Sequence, residues 1–397
     1  DSTNAKTLYN MIMQAVDIKI LFMTGTPMSK DPFELVPCVN MLCGKEILPN
    51  SYESFYETYV DKRVKIINKN KFLNRLFGLV SYVAFDMPLD PNGKPKTNEE
   101  IGRPKDLGIE LQNVEMSYKQ YFKYITVRDR EDKLASTRRS KKDSRSERIR
   151  DIPSLTVPSS LSSGSSYYIE SRQVSDFSPD PKYKDVSIDK MPIEAFNKEA
   201  SPKIYHLVSI LKKGNKPVLI YSQFIKNGLS VIAKYLMKEG YTQWLPSREG
   251  EESITHAKRY CIISGAVDIK DRSKIITMFN SAANMYGDII SCILVSETGA
   301  EGLDLKHLRE VHILEPYWDY ARILQIQGRA IRKGSHTDLP ETERNVKTYL
   351  YISKPNKQGQ KEAAFKENES IDERFLRNAM RKYSLIEDFL KALREVS

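Results

Sequence analysis

The chain has 397 residues, 29% of them charged and 40% hydrophobic, and a formal net charge of +10. That length suits two to three domains with cores of their own. No run reaches the roughly eighteen apolar residues of a membrane helix, and four cysteines without a Cys-x-x-Cys pair argue against a disulfide scaffold or zinc ribbon, so a cytoplasmic protein is expected.

The chain opens on a helical stretch, residues 5–16, with Leu8, Met11, Ile12 and Ala15 at helical spacing. Residues 18–23 are a short β-rich run stopped by Thr24-Gly25-Thr26-Pro27, which fits the carboxyl edge of a parallel sheet whose other strands would lie upstream. Residues 31–81 read as mostly helical, 88–104 as a loop or hairpin, 107–115 as a strand and 116–127 as a helix. Residues 128–190 read as an insertion or linker. Their first part, up to Arg150, holds ten basic and five acidic residues, half of the net charge, and the sequence pattern favours a solvated face there over a nucleic-acid patch; seven serines follow between Ser154 and Ser166.

Beyond that segment strands and helices alternate: helix 201–213, strand 217–221, helix 227–239, strand 260–264, helix 272–280, strands 289–296 and 310–314, and helix 321–332. This alternation predicts βαβ units and a parallel sheet, an α/β fold. Residues 373–396 form a closing helix, with Leu376, Met380, Tyr383, Ile386, Phe389, Leu390 and Leu393 as a stripe that packs on the domain.

Three constellations could carry chemistry. In Gln325-Ile-Gln-Gly328-Arg329-Ala-Ile-Arg332 two arginines three apart are expected on one helix face, with Gln325 one turn earlier and Gly328 allowing close approach. Paired guanidiniums suit a triphosphate, since each donates several hydrogen bonds and neither loses its charge; the plainer reading is an exposed helix meeting nearby carboxylates. Ser296 to Leu305 follows a strand with small residues that can turn backbone N–H groups toward phosphate, and Asp304 there could accept a ribose hydroxyl or pair with an arginine. Its plainer reading is a βα turn with a helix cap. The third is Thr24-Gly25-Thr26-Pro27, otherwise a simple turn.

In chain order, Thr24 to Pro27, Ser296 to Leu305 and Gln325 to Arg332 resemble motifs III, V and VI of superfamily 2 helicases and translocases in their Swi/Snf-like form. Lys216 to Phe224 is similar to motif IV, Ile263-Ser264-Gly265 with Arg272 and Phe279 resembles the stretch after it, and Ser370 to Arg374 resembles the closing segment of such second lobes. Phe33 to Pro37 and Gly328 to His336 are most similar to the helicase-like ATPases of large cytoplasmic DNA viruses. No Gly-x-x-x-x-Gly-Lys-Ser/Thr occurs, since Val39 and Pro88 stand where Gly44-Lys45 and Gly93-Lys94 would need their first glycine, and no Asp-Glu-x-His follows a strand.

The resemblance implies a fold of RecA-like lobes divided as follows: 1–115, the carboxyl part of a first, ATP-binding lobe; 116–200, a helix and insertion; 201–355, a second RecA-like lobe; and 356–397, a helical extension. It implies ATP as substrate with Mg²⁺ whose ligands lie upstream of Asp1, so that this chain alone is inactive. By motif position Arg329 and Arg332, with Gln325, are the catalytic candidates, and Gly302, Asp304 and Gly328 line the nucleotide cleft. Thr24, Gly25 and Thr26 couple hydrolysis to movement, and Ser222, Gly265 and Ser296 touch nucleic acid. DNA is the implied partner, with RNA as the alternative and RNA polymerase or transcription factors beside it. Two other readings stay open: a non-catalytic docking module for nucleic acid or polymerase, and an unrelated α/β enzyme.

Overall fold

The computed structural model describes residues 3–24, 27, 28, 30–81, 101–142, 168–214, 216–246, 258–300, 302–363 and 368–396. In chain order these form α1 (Thr3–Gln14), α2 (Leu35–Cys43), α3 (Tyr52–Tyr59), α4 (Lys69–Leu76), β1 (Lys105–Glu115), α5 (Tyr118–Lys142), α6 (Ile169–Asp176) and α7 (Pro202–Leu211). Then come β2 (Val218–Tyr221), a π turn (Ile225–Ser230), α8 (Val231–Lys238), β3 (Thr242–Gln243), β4 (Arg259–Ile263), α9 (Ile269–Phe279), β5 (Cys292–Val295) and α10 (Glu297–Ala300). The last elements are β6 (Glu310–Ile313), α11 (Tyr320–Ala330), β7 (Asn345–Lys354), α12 (Lys357–Glu362) and α13 (Ile371–Glu395).

The seven strands make one parallel sheet in the order β1-β7-β6-β2-β5-β4-β3. A parallel sheet needs both faces covered, and the central strands supply an apolar side chain to each. Leu219 and Tyr221 of β2, with Ile293 and Val295 of β5, join one core, while Val218 and Ile220, with Cys292 and Leu294, join the other. Because every strand runs the same way, the loops after β2, β4, β5 and β6 emerge at one edge. This is the α/β architecture that the alternating pattern predicts.

A second assembly is helical. Phe55 of α3 and Phe72 of α4 close on Phe389 of α13 at ring distances of 5.7 and 5.1 Å. Helix α13 starts in a full capping box, Ser370 with Glu373. Its 25 residues span about 37 Å, long enough to place Leu376 in the sheet core and Ile386, Phe389 and Leu393 among α2–α4. Met380 of the expected stripe instead faces solvent.

Several expectations are corrected. The run 18–23 forms no strand; Leu21 and Met23 are exposed, and no described strand lies alongside to pair with it. The charge run from Arg128 continues α5 up to Lys142, because Arg128 with Asp132 and Asp129 with Lys133 pair at i,i+4 spacing. Residues 168–190 are folded as well: Ser175 and Asp176 of α6 are fully buried, and Lys203 joins Asp176 at 2.6 Å to Asp372 at 2.7 Å. The serine-rich stretch 154–166 and most of the expected loop 88–104 lie outside the described residues. Strand β1, placed by the sequence reading with residues 1–115, pairs along β7 and so extends the sheet of the 201–355 unit.

Candidate functional site

Gly299 follows β5 within α10, and a Cβ there would lie 2.2 Å from the carbonyl oxygen of Ile263, so only glycine lets the chain pass this close to β4. Arg272 of α9 donates to the Gly299 carbonyl at 3.1 Å, and Arg322 of α11 pairs with Glu297. Gly302 then turns the chain at φ +68°. Leu303 and Leu305 are buried on either side of Asp304, which leaves its carboxylate exposed. Asn280 fixes that backbone: it donates to the Asp304 carbonyl at 2.9 Å and accepts from the Lys306 N–H at 2.9 Å.

The arginine segment differs from the expected single helix face. Helix α11 ends at Ala330 and its cap, Ile331, leaves helical geometry (φ −103°, ψ 66°). Arg329 therefore sits on the last helical turn and Arg332 in the turn that follows. That turn is held by Ser335, whose hydroxyl donates to the Arg332 carbonyl at 2.8 Å, and by the buried His336, 2.7 Å from the Leu308 carbonyl oxygen. Burial, the larger cause, pulls the His336 imidazole down to about 4, with nearby cations adding to the effect. Arg332 donates to Asp304 at 3.1 Å, so motifs V and VI meet in one ion pair, partly open to solvent on both sides. A guanidinium carries five N–H donors, and this pair engages one of them, which leaves Arg332 able to take an anionic oxygen.

Gln325 is exposed, and a Cβ on Gly328 would meet nothing within 4 Å. Gln327, passed over in the sequence reading, is the buried glutamine: its amide donates to Asp106 at the start of β1 at 3.1 Å. The signal was its place two residues before Arg329, on the opposite face of the helix.

For nucleic acid, Gly265 after β4 is exposed, and a Cβ there would press on Thr298 Oγ1 at 2.8 Å. The expectation for Ser222 needs correcting, because it is fully buried and its hydroxyl donates to Glu315 Oε1 at 3.0 Å. Ser296 is nearly as enclosed, and its Oγ accepts from the Gly299 N–H at 3.3 Å. Thr24 is exposed, while Gly25 and Thr26 lie outside the described residues. Among the described residues no three acidic, His or Cys side chains are grouped to hold a metal ion. No described helix is long and apolar enough to cross a membrane.

Comparison with known proteins matches residues 202–334 to the helicase conserved C-terminal domain. The 202–334 region belongs to that domain family. The resemblance to superfamily 2 helicases read from the motifs therefore holds. A termination factor NPH-I homolog of African swine fever virus is 39% identical over the whole chain, which spans 60% of that protein. A mimivirus protein provisionally named an ATP-dependent RNA helicase is 26% identical over 89% of the chain and 66% of its own length. The crystal structure of the C-terminal part of the Fun30 ATPase domain covers 73% of the chain and 99% of its own, at 17% identity and a TM-score of 0.42. The chain thus spans about three fifths of the African swine fever virus relative.

Proposed function

We propose that this chain is the second-lobe half of an ATP-driven superfamily 2 translocase or helicase that works on DNA in viral transcription. The observation that carries the reading is the Arg332–Asp304 pair at 3.1 Å, which brings the two motif loops together at the carboxyl edge of the sheet. In this reading Arg329 and Arg332 stabilise charge that builds on the γ-phosphate in the transition state, as fixed cations do without reorganising. Gly302, Asp304 and Gly328 border the nucleotide, with Gln325 as a contact at its rim. Thr24, Gly25 and Thr26 couple hydrolysis to movement, and Gly265 approaches the nucleic-acid backbone, with Ser296 acting from beneath the surface.

The phosphate loop and the Mg²⁺ carboxylate would come from the part of the relatives' length that this chain does not span. The names of the relatives, a termination factor homolog and a provisional RNA helicase, support transcription as the setting, with RNA as the alternative substrate and polymerase as a partner in the host cytoplasm or virion. Backbone contacts do not read sequence, so binding should be salt-dependent and sequence-tolerant.

The test is ATP turnover by this chain and by the full-length protein, with and without single- and double-stranded DNA. The expected result is none from the chain and DNA-stimulated turnover from the full-length protein. Turnover by the chain alone would place the nucleotide site elsewhere.

A further inference from the structure

The loop after β2 is gripped from within the domain. Glu315, two residues past β6 and 1% exposed, accepts the Gln223 N–H at 2.6 Å and the Ser222 hydroxyl at 3.0 Å. The Ser222 oxygen in turn accepts the Phe224 N–H at 3.1 Å. A Cβ on Gly228 would sit 2.0 Å from that oxygen, so the π turn wraps the hydroxyl only because glycine stands there. Such turns recur beside functional sites.

Arg172 of α6 completes the grip. Buried at 5% exposure, it donates to the Pro316 carbonyl at 3.2 Å, and its guanidinium lies 5.2 Å from the Phe224 ring centroid. One carboxylate and one guanidinium thus hold the loop after β2 against the loop after β6, neighbours in the sheet. A carboxylate suits this place because an inward-turned N–H and hydroxyl need an acceptor, and charge-assisted bonds are the stronger kind. A buried carboxylate is costly unless a cation faces it, and burial raises the Glu315 carboxyl while Arg172 and Lys203 act to lower it. What the fixed loop leaves in solvent is Ile225 and Lys226.

We propose that Glu315 is a positioning residue for nucleic-acid binding: it fixes the loop 222–226 so that Lys226, rather than the buried Ser222, meets the phosphate backbone. This rests on the nucleic-acid reading above. The loop is the surface part, Glu315 its internal anchor, and Arg172 a nearby positive charge that opposes the effect of burial on the anchor.

The test uses the full-length protein, a mixed-sequence duplex DNA as probe, and temperatures well below unfolding. Amide exchange at Gln223 and the salt dependence of DNA affinity are read together. Glu315→Leu should lose the Gln223 protection and weaken binding about tenfold, with the salt slope reduced by about one phosphate contact. Glu315→Gln, whose carboxamide oxygen can accept the same two bonds, should restore most of both. Lys226→Ala should lower the slope by a similar amount of about one and keep the Gln223 protection. Should the Leu variant fail to fold, Glu315→Asp, short by one methylene, should give the intermediate loss. Wild-type affinity in a folded Leu or Asp variant with an unprotected Gln223 amide overturns the proposal, as does a Gln variant no better than Leu. Absence of DNA binding by the unmutated protein overturns the nucleic-acid reading and the proposal together.

Discussion

Two β-rich runs in this chain, residues 18–23 and 218–221, have similar local composition and different fates. Val218–Tyr221 lies between β5 and β6, pairs with both, and buries all four side chains. Ile18 to Met23 forms no strand, and Leu21 and Met23 stand in solvent. Strand formation is therefore decided by neighbours on either side and by a covered face, and not by the run itself.

The largest effect expected from this contrast is on stability. Ile220→Ala, at a fully buried position, should cost about 2–5 kcal/mol, while Leu21→Ala should stay within about 0.5 kcal/mol. Urea unfolding of the two variants checks it, and an equal cost would show that the first run is packed after all.

A smaller effect concerns pH. His336 is held neutral with its value depressed to about 4, below the roughly 6.5 of an unfolded histidine. The unfolded chain then binds the extra proton, so the stability linked to His336 is whole above about pH 6.5 and is lost as pH falls toward 4. Urea midpoints at several pH values should show this slope, and His336→Gln should flatten part of it. An unchanged slope in the variant would remove His336 as its source.

The smallest is the cap of α13. Ser370→Ala removes the acceptor for the Glu373 N–H and should cost about 1 kcal/mol. The loosening should begin at the start of α13, beside Leu376 and the sheet, before it reaches the helical assembly around Phe389, and amide exchange can resolve the two. Simultaneous loosening of both would mean that the two assemblies unfold as one.

The sequence made β2, β4 and β5 legible because each is a mostly apolar run too short for a helix, and β6, Glu310-Val-His-Ile, followed from its place in the strand–helix alternation. Strand β7 escaped because the polar Asn345, Lys347 and Thr348 break its apolar run, although Thr348 is itself fully buried. The charge run after Arg128 hid a helix, since its i,i+4 pairing reads the same as a solvated tail until a partner such as Tyr168 covers Arg128, 4.2 Å from the ring. At the site, the loop 296–305 and the arginine segment were legible from their residue types. The end of α11 before Arg332 was not, because nothing local in Ala330-Ile331-Arg332 stops a helix. Glu315 left no local signal at all: its partners Ser222 and Gln223 are more than ninety residues away.

The central claim is that the Asp304-anchored Arg332 acts on the phosphates of bound ATP. The measurement that tests it most directly is ATP turnover and DNA binding by Arg332→Ala in the full-length protein. The account predicts a loss of turnover of about a thousandfold or more with DNA affinity and thermal stability unchanged. Turnover at the wild-type rate would contradict it.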